Sequence, residues 1–494
     1  MVRPLIAFSQ RIWPRRCRQR ASCAQVAAFS PAYPAVVVEH CRVPTCGNWK
    51  SKSTEVQTQG GYSQERDMTS RTFLQDGCWG LTDDDGTIAT FSRFLDSLPT
   101  RPRLLGFGEC MHEEEGLPRL RNQLFQHLVE HEGYRSVALE SDCLAGLLTD
   151  SYVVHGTGSL DEAMEHGFSH GFGDSPANRA LVQWMREYNR DRPLRDRLRF
   201  FGFDAPVEMT GGDSPRLVLS GLYHLLADHV DSALLPCSHE ELDLTIGEDD
   251  RWTNPAAALD SSLSVGTSPD ARTLRLITDD LVALLYSESP HLAATLSADE
   301  WWRARLYGRT AVGLLRYHAA VADSSAARVA RLLGLRDELM ASNLNAIVEH
   351  ESRRGPALVF AHNRHLQKYK SRWRFNGQDL EWWSAGAIAD VQLGDHYAFV
   401  ASAFGAAPHQ GVHRAPEDTL EGLLAANLPE GRCIINSEKL QAALPEVDGQ
   451  RPVLRTETSK NYSYFALDPA YLHKTDGVIF IKELADAPDA GNSG

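Results

Sequence analysis

From about residue 85 onward, short apolar runs alternate with longer runs in which apolar residues recur at helical spacing. This alternation predicts β-α-β units, in which parallel strands form a sheet that helices cover. The strands are expected at residues 103–108, 135–141, 197–204, 356–362, 396–405, 431–438 and 476–483, and the first helices at 117–134 and 178–191. The sequence therefore predicts an α/β fold with a mostly parallel central sheet flanked by helices.

A long helical stretch interrupts this alternation at about residues 215–350. Apolar residues there recur with the period of amphipathic helices. The polar, Pro- and Ser-rich stretch at 236–270 predicts a loop between two of them. We expect a helical subdomain inserted between the strands of the sheet.

Residues 1–67 differ from the rest of the chain. They contain the arginine cluster "RIWPRRCRQR", followed by polar residues without a period. A transit peptide has a similar composition, but a disordered leader or an upstream extension before Met68 is the simpler interpretation. The folded domain is then expected to span 68–494. No apolar run approaches the length of about 20 residues that crosses a bilayer.

Composition and charge narrow the classes of function. Hydrophobic residues make up 43% of the 494 residues, as in globular proteins. The formal net charge of -15 argues against a nucleic-acid partner and against binding to an anionic membrane. The nine cysteines include no C-x-x-C pair, and their scattered positions indicate free thiols in a reducing, cytoplasmic setting.

Ionisable side chains follow four of the predicted strands. In open parallel sheets, ligands bind outside the carboxyl ends of the strands, so we expect these side chains to share one active-site cleft. They are Glu109 and His112 after the first strand, Glu140 after the second, Asp204 after the third, and His362, Asn363 and His365 after the fourth. Carboxylates and imidazoles brought together in this way predict an acid–base site.

The predicted helix after His112 carries an arginine on its apolar face. Its leucines form one stripe, and Arg121 falls inside that stripe. A buried arginine needs a carboxylate or a bound anion, so we expect Arg121 to pair with Glu109, Glu140 or Asp204. In the alternative, the stem packs and the guanidinium reaches solvent. The glutamates at 113–115 are expected at the helix start, where negative charge is favourable.

These side chains suit hydrolysis by an activated water. A neutral histidine takes a proton from water near pH 7, and a carboxylate holds its other ring nitrogen. A second histidine or an arginine stabilises the oxyanion or protonates the leaving alkoxide. The same groups could bind zinc, although the sequence has no H-E-x-x-H. "GFSHG" at 167–171 matches the nucleophile-elbow pattern, but a predicted helix precedes it and a loop follows, which argues against an elbow.

Several segments, in order, resemble the erythromycin esterase family. They are "GECMHEEEG", "GYRSVALES", "WMREYN", "RDELMASN" and "AHNRH", within a similarity that covers roughly residues 85–485. The resemblance implies an α/β fold with a deep cleft and water-mediated hydrolysis of a macrolactone ester without a covalent acyl-enzyme. It also implies macrolide inactivation and hence antibiotic resistance.

The resemblance implies a role for each candidate residue. His112 would be the general base, Glu109 and Glu140 would orient or polarise, and Arg121 would brace these carboxylates. His362 and His365 would lie across the cleft. The expected partner is a small-molecule ester or lactone, contacted by Asp204 and Asn363, with no cofactor and no metal. Two alternatives remain: a metal-dependent hydrolase that uses the same residues, and a catalytically silent binding or tailoring protein of a natural-product pathway.

Overall fold

The computed structural model describes residues 77–81, 85–208, 211–375, 377–428, 431–444, 451–456, 459 and 461–484. These residues belong to one compact unit, Gly61–Gly494. The leader predicted at 1–67 lies outside the described residues. Within the described part of the chain, no helix is both long enough and apolar enough to cross a membrane.

Twelve strands occur among the described residues, and eight of them form the central sheet. They are β1 Cys78–Gly80, β2 Leu104–Glu109, β3 Ser136–Asp142, β4 Arg199–Asp204, β5 Val207–Glu208, β6 Gly211–Gly212, β7 Ala357–His362, β8 Lys370–Phe375, β9 Gln378–Trp383, β10 Tyr397–Phe404, β11 Arg432–Asn436 and β12 Gly477–Ile481. The sheet order is β1-β11-β12-β10-β2-β7-β3-β4, with β5-β6 and β8-β9 as separate pairs. Neighbours from β12 to β4 are parallel, whereas β11 and β1 pair antiparallel. The predicted mostly parallel sheet is confirmed.

Helices alternate with these strands and cover the sheet. They are α1 Asp85–Asp96, α2 Gly116–His131, α3 Gly146–His155, α4 Leu160–His166, α5 Pro176–Asn189, α6 Arg216–Ala227, α7 His239–Ile246, α8 Pro269–Ser287, α9 Ser289–Thr295, α10 Ala298–Val321, α11 Arg328–His350, α12 Asn363–Leu366, α13 Ala385–Leu393, α14 Leu420–Asn427 and α15 Ser437–Ala443. The helices α6 to α11 lie between β4 and β7 in the chain.

Successive strand residues face opposite sides of the sheet and enter two apolar clusters. In β2, Leu105 joins the first cluster, which includes α2 and α5, whereas Leu104 joins the second, which includes α11. Burial on both faces explains why these strands read as continuous apolar runs. A third cluster joins the helices α6 to α11.

The loop predicted at 236–270 is only partly correct, because α7 begins there. The Ser238 hydroxyl accepts the N–H of Glu241, and the Glu241 carboxylate accepts the N–H of Ser238. This reciprocal capping box satisfies two backbone donors at the helix start. The remainder of the stretch forms short 3₁₀ turns. Because the stretch is polar, the Ser238 and Glu241 spacing that indicates a helix start was not recognised.

Candidate active site

The ends of three neighbouring strands bring the first site residues together. Glu109 at the end of β2 lies in register with His362 at the end of β7. The ladder between β3 and β4 is irregular between Leu139 and Asp142. Glu140 lies in this irregularity, and its carboxylate accepts the backbone N–H of His362 at 2.7 Å. A carboxylate thus satisfies a backbone donor at the end of β7.

His112 and Glu109 form a hydrogen-bonded pair. The Nδ1 atom of His112 lies 2.7 Å from Oε1 of Glu109. The backbone of His112 is held as well, because its N–H donates to the Ser463 hydroxyl and its carbonyl accepts from the Asn461 side chain. A carboxylate at Nδ1 fixes the tautomer with its lone pair on Nε2. The segment 461–463, which the sequence interpretation did not select, therefore supports the histidine.

The other ring nitrogen of His112 faces Glu140. Its Nε2 lies 3.9 Å from Oε1 of Glu140, beyond hydrogen-bonding distance, and 26% of the side chain is exposed. Burial disfavours the charged imidazole, but Glu140 and Glu109 outweigh burial and raise the pKa of His112. An accessible nitrogen next to a fixed negative charge can accept a proton from water.

Glu140 lies at the centre of the site. Its Oε1 is 3.3 Å from Nε2 of His365 and 3.4 Å from a terminal nitrogen of Arg336. Burial would favour the neutral acid, but His365, His112 and Arg336 lower the pKa of Glu140 to about 2. The carboxylate is therefore ionised at neutral pH.

A second histidine–acid pair lies on the other side of Glu140. Nδ1 of His365 is 2.5 Å from Oδ1 of Asp337, and the indole N–H of Trp382 donates to the other oxygen of Asp337 at 2.6 Å. Burial disfavours charge on His365, but Asp337 and Glu140 raise its pKa. Asp337, Trp382 and Arg336 were missed as site residues, although Arg336 and Asp337 lie within "RDELMASN".

His362 is held in its neutral form by the backbone. Its Nε2–H donates to the Ser463 carbonyl at 2.9 Å, and Nδ1 accepts the N–H of Arg364 at 3.1 Å. Burial, together with neighbouring His112, places the pKa of His362 well below its usual range. Both ring nitrogens of His362 are therefore engaged in contacts with the backbone.

The two residues expected to contact substrate are engaged in internal contacts. The Asn363 amide spans the backbone of Ser402, donating to its carbonyl at 2.9 Å and accepting its N–H at 3.2 Å. Asp204 is fully buried and pairs with Arg336 at 2.5 Å and with His170 at 2.8 Å. Substrate contact by Asp204 and Asn363 stays a prediction, because a strand-end position does not reveal which neighbours satisfy a polar group.

Arg121 is buried as predicted, but the prediction that a carboxylate pairs with it is wrong. It is 1% exposed, and it donates to the neutral amide oxygens of Asn122 and Asn178 at 2.7–3.0 Å. Its guanidinium lies 4.8 Å from the centre of the Phe360 ring. Burial lowers the pKa of Arg121 to about 10. Amide oxygens and a ring face therefore replace the carboxylate at this buried cation.

The glutamates at 113–115 lie directly before the start of α2, as expected, and two of them also contact more distant parts of the chain. Glu114 is buried, accepts the N–H of Gly116 at 2.9 Å and pairs with His409 at 2.7 Å. Glu115 accepts the N–H of Ala177 at 2.9 Å. These carboxylates therefore connect the start of α2 to the first turn of α5 and to the turn that holds His409.

The stretch "GFSHG" is not a nucleophile elbow. The helix α4 ends just before it, and the Ser169 hydroxyl accepts the N–H of Asp142 at 2.8 Å. The next residue, His170, has a left-handed φ of 56° and directs its ring to Asp204. The loop after α4 therefore supplies His170 as a partner for Asp204.

No group of three or more histidines, cysteines, aspartates and glutamates within the described part of the chain is arranged to hold a metal ion. Each of the site's histidines already has a ring nitrogen bonded to a protein group.

One comparison with known proteins identifies a family. The family model described as erythromycin esterase matches residues 129–484, more than half of the chain. This range begins after Glu109, His112 and Arg121, so the placement of these three residues rests on the geometry above. No curated protein matches the sequence significantly.

The solved structures that share the fold include two with low sequence identity. One is a Bacillus cereus protein that is 16% identical, with a TM-score of 0.63 over 84% of this chain and 97% of that chain. The other is a histidine-to-asparagine mutant of the erythromycin esterase EreC in its open conformation, 17% identical, with a TM-score of 0.58 over 85% of this chain and 98% of that chain. At these identities the likeness establishes the fold alone.

Proposed function

The chain belongs to the erythromycin esterase family, and we propose that it hydrolyses an ester or lactone of a small molecule with a water activated by His112. The observation that carries this proposal is the Glu109–His112 pair at 2.7 Å, with Nε2 of His112 unbonded and beside Glu140. A histidine oriented by a carboxylate is a general base for water. The proposed reaction needs no cofactor.

The proposed mechanism uses both histidine–acid pairs. Nε2 of His112 takes a proton from water while the water oxygen attacks the ester carbonyl carbon. The guanidinium of Arg336 stabilises the negative charge on the carbonyl oxygen. His365, held by Asp337 and with its Nε2 3.3 Å from Oε1 of Glu140, keeps this carboxylate in place. When the carbon–oxygen bond of the ester breaks, the protonated imidazole of His112 returns this proton to the leaving alkoxide. An acid and an alcohol result, with one water consumed.

A 14-membered macrolide is the first substrate to test. We expect incubation with the purified protein to give a product heavier by one water, as measured by mass spectrometry, with activity unchanged after treatment with a chelator. Activity lost on chelation and restored by a metal would favour a metal-dependent hydrolase. Macrolide binding without turnover of any ester would favour the silent binding protein.

The pH dependence of kcat/KM tests whether the carboxylates around His112 raise its pKa. Because the pKa of His112 is raised, the neutral base accumulates only above the usual histidine range. We expect kcat/KM to fall on the acid side with a midpoint above the usual histidine pKa. Glu140→Gln removes a neighbouring negative charge while its amide oxygen can still accept from His362, so the acid limb should move to lower pH.

The matched control for this profile is Glu130→Gln. Glu130 is 54% exposed and lies far along α2 from His112 in sequence. We expect its profile to coincide with that of the wild type. An acid limb that does not move in Glu140→Gln would contradict the assignment of His112 as the titrating base.

A further inference from the structure

Two phenylalanines flank the imidazoles of the site. The Phe172 ring centroid lies 5.5 Å from that of His112, and the Phe465 ring centroid lies 5.6 Å from that of His362. The two imidazole centroids are 5.0 Å apart. The four side chains thus form a continuous row of rings, called here the ring row: Phe172, His112, His362 and Phe465.

The phenylalanines of the ring row lie outside the apolar cores. Both are half-buried, and within the described residues neither belongs to any of the three apolar clusters. Phe465 is instead covered on one side by the Arg364 guanidinium, 3.7 Å from its ring centre. An aromatic ring contributes most when its large apolar area is buried. These two rings leave part of that area to be covered by a ligand.

We propose that the exposed parts of the ring row, on Phe172, His112 and Phe465, bind the substrate and select esters with a long aliphatic acyl chain over short ones. This inference rests on the proposed function, because His112 in the middle of the row is the proposed base. Apolar ring faces on both sides favour CH groups of an acyl chain or macrocycle over charged or strongly hydrated groups.

Arg121 positions one end of the ring row through Asn178. The Arg121 guanidinium donates to the Asn178 amide oxygen at 2.9 Å, and the Asn178 amide donates to the Phe172 carbonyl at 2.9 Å. The left-handed residues His170 and Gly171 turn the chain just before Phe172. A buried cation held by amide groups therefore fixes the turn that places a ring beside His112.

A series of p-nitrophenyl esters, from acetate to octanoate, tests this proposal. For octanoate we expect Phe172→Ala and Phe465→Ala to lower kcat/KM about tenfold, mainly through KM, the size of one lost apolar contact. For acetate the change should stay below about threefold. Phe172→Leu retains apolar area and should keep most of the preference for octanoate.

The matched control is Tyr286→Ala, which removes a 51% exposed aromatic side chain from α8 and should change neither ester. An equal loss on every ester in both phenylalanine variants would overturn the proposal, since it would indicate a structural role only. For the positioning step, Asn178→Ala should weaken the octanoate preference in the wild type but not in Phe172→Ala. Additive losses in the double variant would contradict a path through Phe172.

The proposal can fail independently of the proposed function. If the wild type hydrolyses none of these esters and no macrolide, the proposed hydrolysis fails, and the ring row is then judged by binding alone. Calorimetric titration with erythromycin should show weaker binding to Phe172→Ala and Phe465→Ala than to the wild type. Wild-type affinity in both variants, or no binding by any of the proteins, would overturn the proposal.

Discussion

His112→Ala is expected to lower kcat/KM for ester hydrolysis by about 10²–10⁴-fold, the contribution of a positioned general base. The alanine has no nitrogen to take the proton from water, and Glu140, whose pKa is held at about 2, is too weak a base to replace it at neutral pH. The measurement is steady-state hydrolysis of the substrate that the wild type turns over best.

Loss of folding would not explain this result. The side chain of His112 has a hydrogen bond to Glu109, whereas its backbone bonds to Ser463 and Asn461 remain in the variant. We therefore expect circular dichroism and thermal unfolding close to those of the wild type. His155→Ala is the control, because it removes a 43% exposed histidine that pairs with an acid, Asp299, outside the site. Unchanged turnover in His112→Ala would refute the mechanism.

Strand ends were the most predictable part of the site. Parallel strands in register end at the same edge of the sheet, so Glu109 and His362 lie side by side independently of the conformation of the loops. Their side-chain partners were not predictable, because these partners lie on elements distant in sequence. Ser463, for example, contacts both His112 and His362 from a segment about a hundred residues beyond β7.

A charged residue on the apolar face of a predicted helix indicates a buried charge. The sequence interpretation used this indication for Arg121 but not for Asp337. Arg121 stood out within the leucine stripe of α2, and it is buried as expected. Asp337 is spaced in the same way on α11, three and seven residues before the buried Met340 and Leu344. The same physical argument, that a buried charge needs a partner, would have indicated a histidine or arginine opposite Asp337.

The remaining omissions are Trp382 and His170. The hairpin β8–β9 supplies Trp382, and its second strand alternates polar and apolar residues with Leu380 and Trp382 buried, but no strand was predicted there. His170 reaches Asp204 from a loop by adopting a left-handed backbone that non-glycine residues seldom adopt. The alternation around Trp382 could have been used to predict a strand, whereas the loop that holds His170 carries no pattern of hydrophobic residues.

Arg336→Met is expected to destabilise the fold by about 3–5 kcal/mol, the usual cost of removing one partner from a buried ion pair. Two guanidinium nitrogens of Arg336 donate to the two carboxylate oxygens of Asp204, at 3.0 and 2.5 Å. Asp204 is fully buried, so the variant leaves its carboxylate with the His170 ring nitrogen, at 2.8 Å, as a remaining side-chain partner. Urea unfolding at neutral pH measures the loss.

Arg331→Met provides a control on the same helix. Arg331 is 61% exposed and lies 3.3 Å from Asp323, so its loss should cost less than about 1 kcal/mol.

The effect of Arg336→Met should depend on pH. Burial opposes charge on Asp204, but Arg336 outweighs burial and lowers the pKa of Asp204. The stabilisation is therefore present above the unfolded-state pKa of aspartate and lost as the pH falls through the folded value. The stability gap between Arg336→Met and the wild type should narrow in acid, and a gap that is small at neutral pH or widens in acid would show that Asp204 does not depend on Arg336.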